Sequence, residues 1–217
     1  MEKAPQLAHS VLRNSLILGL FAMLTVAVIA ITQQTTAERI NTERERMQMR
    51  ALNDILPEDQ HDNDLLQDSF MLDDTSYLRL TAPTPAWRGR QADEVSAVIL
   101  PVTTVNGYSG RIDLLVGIHA NGDIAGVRAI NHRETPGLGD KIEAGKSRWI
   151  LNFNGKSLTM PAPEKWAVRR DGGDFDQFAG ATITPRAVVQ AVHNALRYFN
   201  EHRSSLLQLN TEDARND

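Results

Sequence analysis

Near its start the chain carries a run without a single charged side chain, from Asn14 to Ala37. Eighteen of those positions, Ser15 to Thr32, read SLILGLFAMLTVAVIAIT. At a helical rise of about 1.5 Å per residue, such a run covers roughly 27 Å, close to the hydrocarbon thickness of a bilayer. Thr25 can return its hydroxyl to the preceding turn, and Gly19 is tolerated within a span. The alternative is a cleaved signal peptide. The run is long for that role, no clean Ala-x-Ala site follows, and Thr35-Thr36-Ala37 is a poor substitute, so a retained anchor is expected. Lys3 and Arg13 precede the run. Arg39, Arg44, Arg46 and Arg50 follow it, mixed with Glu38, Glu43 and Glu45. Long domains translocate largely regardless of such charges, so composition leaves the side of the membrane undecided.

Without residues 1–32, 21 basic groups face 26 acidic ones, a net charge of −5 for the tethered remainder. That balance excludes a broad basic face for nucleic acid. Cysteine is absent from all 217 residues. This excludes disulfides, thiolate iron–sulfur ligation, a Cys-type zinc site, c-type haem attachment and a thiol nucleophile. Redox chemistry would have to come from a bound organic cofactor or from His/carboxylate metal sites. His132, His119, His193 and His202 show neither His-x-x-x-His nor His-Glu-x-x-His spacing, so structural roles and no metal are expected.

The pattern downstream predicts an α+β fold, with helices packed on an antiparallel sheet. Glu38 to Leu56 intersperses apolar residues at helical spacing and is stopped by Pro57. Glu58 to Asp74 holds no Lys or Arg. Its Asp62-Asn63-Asp64 lacks the glycine and glutamate offsets of a calcium loop, which leaves a solvated linking segment. Val95–Val105, Arg111–Ala120 and Ile124–Asn131 read as strands, joined at Asn106-Gly107 and Asn121-Gly122-Asp123 into a meander. Asp140 to Phe153 reads as a helix. Thr184 reads as an N-cap, with Pro185 at the first helical position and Val188, Val189, Val192, Ala195, Leu196 and Phe199 recurring behind it. The predicted divisions are a 1–14 N-terminus, a 15–36 membrane helix, a 37–90 linking helix and acidic segment, a 91–209 domain and a 210–217 polar tail.

Two motifs carry chemistry. In HRETPGLG (132–139), Pro136 fixes one backbone angle. Gly137 and Gly139 permit positive φ and close approach by a flat ligand, and Glu134 and Thr135 offer an acceptor and a hydroxyl. An ordinary strand-to-helix turn would look the same. In DQFAGATIT (176–184), Gly180 and Ala181 are small enough for a bulky group to approach Thr182. The following helix presents free N–H groups and a positive dipole end that favour phosphate, worth about 0.3–2 kcal/mol. A plain helix entry with small residues is the alternative. Trp87, Trp149 and Trp166 could stack on a flat ligand but read first as core, Asp171-Gly172-Gly173-Asp174 reads as a turn, and Ser109 and Ser147 lack the context of a nucleophile elbow.

Taken in order, Asn106-Gly107-Tyr108-Ser109-Gly110, Leu114-Leu115-Val116-Gly117-Ile118, HRETPGLG and Asp-x-x-x-Gly-Ala-Thr-x-Thr closely resemble the G subunit of the Rnf (Rsx) ion-translocating electron-transport complex. The resemblance covers the whole chain. The related C subunit of the sodium-translocating NADH:quinone reductase shares the FMN-binding domain. The resemblance implies FMN joined through its phosphate to the Thr182 oxygen by a separate flavin transferase. That enzyme would recognise Asp176, Gly180, Ala181 and Thr182. Glu134, Thr135, Gly137, Leu138 and Gly139 would line the flavin ring, beside Gly180, Ala181 and Thr184. The chain departs from the pattern at Ala179, where the family often has Ser or Thr. Membership further implies the other subunits of the complex as partners and the inner membrane of a bacterium as location. The N-terminus would then be cytoplasmic and the soluble domain periplasmic. The alternatives are a homologue of the quinone-reductase C subunit, or a membrane-anchored flavin-binding sensor or assembly protein. No isolated catalytic site with a soluble substrate is legible.

Overall fold

The computed structural model describes residues 4–92 and 94–208, with side chains from residue 11 onward except those of 34–45 and 47. The expected polar tail, 210–217, lies outside the described residues. The chain forms two compact units, residues 1–48 and 49–217.

Helix α1 spans Ala4–Ile55, so the membrane segment and the expected linking helix are one continuous element. Within it, Val11–Gln33 is long and apolar enough to cross a membrane. At about 1.5 Å per residue it reaches roughly 35 Å. Leu16, Phe21, Leu24 and Ile29 are each more than half exposed, as side chains facing lipid would be. The Thr25 hydroxyl donates to the Phe21 carbonyl at 2.9 Å, and Thr32 to Val28 at 2.8 Å. These hydroxyls of the span are thereby satisfied within the helix.

The second unit is built on five antiparallel strands in sequence order: β1 (Ser69–Leu72), β2 (Thr84–Gln91), β3 (Glu94–Gly107), β4 (Gly110–His119) and β5 (Ile124–His132). Helix α2 (Ile183–Leu207) covers one face. Val98, Leu100 and Val102 of β3 and Leu114 and Val116 of β4 bury against its Val188, Val192, Leu196 and Phe199. The alternate residues, Ala97, Ile99 and Leu115, turn to the opposite face and join Leu52, Ile55, Leu56 and Leu65. Burial on both faces explains why β3 reads as a nearly unbroken apolar run.

The second face is shaped for the end of α1. A Cβ on Gly117 would lie 2.2 Å from Ile55 Cγ2, and one on Gly89 2.2 Å from Leu56 Cδ2. One on Gly126 would lie 3.1 Å from the Ile55 backbone. Three strands thus lack side chains where the last turn of the helix settles.

Three expectations need correction. The segment 58–74 is folded and not simply solvated: Leu65 is fully buried, Ser69–Leu72 adds β1 to the sheet, and Asp68 pairs with Arg90. Asp140–Phe153 is not an α-helix but two short 3-10 turns, Gly139–Ile142 and Trp149–Phe153. Gly145 weakens a helix there, and Ser147 spends its hydroxyl accepting from the Trp149 N–H at 3.1 Å. Finally, α2 starts at Ile183, so Thr182 holds the N-cap position and Thr184 and Pro185 already lie inside the helix.

Candidate functional site

The two motifs form matching turns. In the first, the Leu138 N–H donates to the Thr135 carbonyl at 3.1 Å, and Gly137 follows Pro136 with φ +78°. In the second, the Ala181 N–H donates to the Phe178 carbonyl at 3.1 Å, and Gly180 also has φ +78°. Positive φ at the third position of a four-residue turn is the type II requirement that glycine meets without strain. The turns face each other, since a Cβ on Gly180 would come within 3.9 Å of Leu138 Cδ2.

Between them lies a cavity of about 210 Å³. Glu134, Thr135, Leu138 and Gly139 line it from the first motif, and Gly180, Ala181 and Thr184 from the second. Seven residues singled out in the sequence thus meet in one place. Gly137 shapes its turn without lining the cavity. Thr182 lies immediately after the Gly180-Ala181 wall, half-buried at the start of α2. Its hydroxyl makes no capping hydrogen bond. Asp176 stands apart, exposed and ion-paired with Arg169 at 3.0 Å.

Thr184 differs from its expected role as the helix cap. Thr184 is fully buried, and its hydroxyl donates to Glu134 Oε2 instead of capping the helix. The other carboxylate oxygen of Glu134 accepts the Ser109 N–H at 3.0 Å. A Cβ on Gly139 would sit 2.8 Å from Glu134 Oε2 and 2.9 Å from Thr184 Oγ1, and one on Gly107 2.7 Å from Glu134 Oε1. Gly139 has no positive φ; its task is to leave room for this pair.

Behind the first motif, the Glu134 N–H donates to His132 Nδ1 at 3.2 Å, which leaves Nε2 as the proton-bearing nitrogen facing Glu143 at 3.0 Å. Both ring nitrogens of His132 are thus engaged within the protein. Lys146 reaches both Glu143 (2.7 Å) and the buried Asp140 (3.0 Å). Its ammonium holds the Asp140 carboxyl below the usual carboxylate range, while the two carboxylates raise Lys146. Behind the second motif, the Trp149 indole N–H donates to the Asp176 carbonyl at 2.7 Å, and its ring meets Phe178 edge-on. Trp149 is core, and it holds the 176–182 segment from the inside.

Sequence reasoning misses one cavity residue, Tyr108, which is 69% exposed at the tip of the β3–β4 hairpin. The Asn-Gly-Tyr-Ser-Gly pattern signals the turn, but nothing local says that its tip meets motifs about 25 and 70 residues away.

The cavity lies within the stretch 107–197 that matches the FMN-binding domain family, and residues 1–55 match the RnfG N-terminal region. An FMN-binding domain following an apolar N-terminal helix is thus the class of protein that fold and site define. The G subunit of the ion-translocating oxidoreductase complex of Pseudomonas aeruginosa (strain UCBPP-PA14) is 52% identical over 92% of this chain and 93% of its own length. The protein of that name from Shewanella loihica is 45% identical over 92% and 94%. The chain belongs to this family, the G subunits of ion-translocating oxidoreductase complexes. Among solved structures, Shewanella oneidensis NqrC is similar at a TM-score of 0.46 and 22% identity, covering 64% of this chain and 70% of that one.

Proposed function

We propose that this chain is the flavoprotein subunit of a membrane complex that couples electron transfer to ion translocation, with FMN held by a phosphoester bond to Thr182. The observation that carries this reading is the uncapped Thr182 hydroxyl beside a cavity walled by both motifs. The residues suit the group. Leu138 and Ala181 give apolar surface for a flat ring, and Gly180 adds no side chain to the approach. The first turn of α2 offers unpaired N–H groups and the positive end of the helix dipole to a phosphate. Thr135 is an exposed polar contact at the cavity wall.

Bound there, FMN supplies one- and two-electron chemistry; the protein supplies tether, orientation and electrostatics. A covalent link maintains the cofactor at high local concentration where a dissociable one would diffuse away. The flavin transferase that forms the link reads Asp176, Gly180, Ala181 and Thr182. Ala179 is exposed between them and its side chain supports no core contact. The soluble unit faces the periplasm from the inner membrane of a bacterium, and the electron donor and acceptor are other subunits of the complex. On its own the protein is not catalytic.

The test is co-production with the transferase, followed by a denaturing gel under ultraviolet light and intact-mass measurement. Flavin fluorescence and an added FMN mass are expected on the wild type and absent from Thr182→Ala. A mutant that retains both places the attachment elsewhere, and a bare wild type removes the covalent reading.

A further inference from the structure

A buried carboxylate in a ligand cavity would ordinarily be assigned to the ligand. Glu134 is 4% exposed, and both of its oxygens are engaged by the protein itself, Oε1 by the Ser109 N–H and Oε2 by the Thr184 hydroxyl. These partners sit on different elements, the tip of the β3–β4 hairpin and the first turn of α2. Glycines at 107 and 139 leave the carboxylate its space. The hairpin contact falls on the residue adjoining Tyr108, the one aromatic side chain lining the cavity.

We propose that Glu134 is a positioning residue that braces the hairpin tip against α2, and that the residue it positions, Tyr108, covers the flavin ring by aromatic contact. This rests on the reading of the cavity as a flavin site. Three observations favour it. The lining is otherwise aliphatic, small or acidic, so Tyr108 alone can offer a π-face to a flat aromatic ligand. A tyrosine 69% exposed on a hairpin gains little from folding and is free to serve a ligand. The anchor beside it is a buried side chain that accepts from two donors on two different elements, so the tip is held from inside the fold.

A phenol in contact with an isoalloxazine ring quenches flavin fluorescence, so the excited-state lifetime reports the contact. The experiment uses the full-length, flavin-loaded protein in detergent and compares wild type, Tyr108→Leu, Glu134→Ala and Glu134→Gln at equal flavin content. The wild type should show a short mean lifetime. Tyr108→Leu, on an exposed tip that leaves the core intact, should lengthen it severalfold. Glu134→Ala, its fold checked by near-ultraviolet circular dichroism, should lengthen it as well. Glu134→Gln should restore the short lifetime: its carbonyl oxygen accepts the Ser109 N–H, and its amide donates to the Thr184 oxygen.

An unchanged lifetime in Tyr108→Leu overturns the ring contact. A short lifetime in folded Glu134→Ala, or a long one in Glu134→Gln, overturns the brace. The tether is scored separately by intact mass. Where the mass shows no attached FMN, the same comparison is made with saturating free FMN, and the same lifetimes decide.

Discussion

Gly139 shows how tightly a single residue can be specified. It packs against the Glu134–Thr184 pair, both members of which are buried, so Gly139→Ala forces one of them to move. We expect a loss of about 1–3 kcal/mol of stability, as for other overpacked sites, measured by chemical denaturation, together with reduced flavin loading. A second residue-scale prediction concerns acid. Lys146 lowers the Asp140 carboxyl, so the stabilisation from that pair is present above the ordinary carboxylate range. It is lost as pH falls through the lowered value. Lys146→Ala should therefore be less stable near neutrality and show a smaller drop in Tm between neutral and strongly acidic pH. At this scale the cavity wall is legible in the sequence because glycine and small residues announce turns and close approach. The partner of Glu134 is not, because the carboxylate could equally serve a ligand or the protein. Its contact with Thr184, 50 positions along the chain, is visible only in the fold.

Among elements, the central strands are readable from alternation and Asn-Gly turns. β1 and β2 are not: β1 is four residues long in an acidic stretch, and Pro85 and Gly89 interrupt β2. The segment 140–153 has helical apolar spacing, yet local hydrogen bonds and Gly145 split it into two tight turns. The cap of α2 lies two residues before the expected one because Thr184, a good cap by residue type, is drawn into the core by Glu134. The glycines facing the end of α1 give the sharpest test at this level. Gly117→Val would drive a branched side chain into buried Ile55. It should cost about 1–3 kcal/mol, seen as a lowered denaturation midpoint, while Thr159→Val, at an exposed position, should be close to neutral.

For the molecule as a whole, the proposed topology can be read directly because the chain has no cysteine of its own. Thr159→Cys, at an exposed site on the soluble unit, should react with a membrane-impermeant maleimide in intact spheroplasts. Reaction only after lysis would place the unit on the cytoplasmic side. The candidate membrane span is legible at this scale from its missing charges alone, whereas the continuity of α1 is not, because the polar residues after the span suggest a separate helix.

The seating of Leu52, Ile55 and Leu56 on the bare patches of β2, β4 and β5 bears on how the protein is handled at the bench. A water-soluble fragment cut after Pro57 would strip off a lid and leave a greasy hollow open to clumping. One cut at Met49 keeps the plug in its socket, so the last turn of the long first helix doubles as the cork of the domain that follows it.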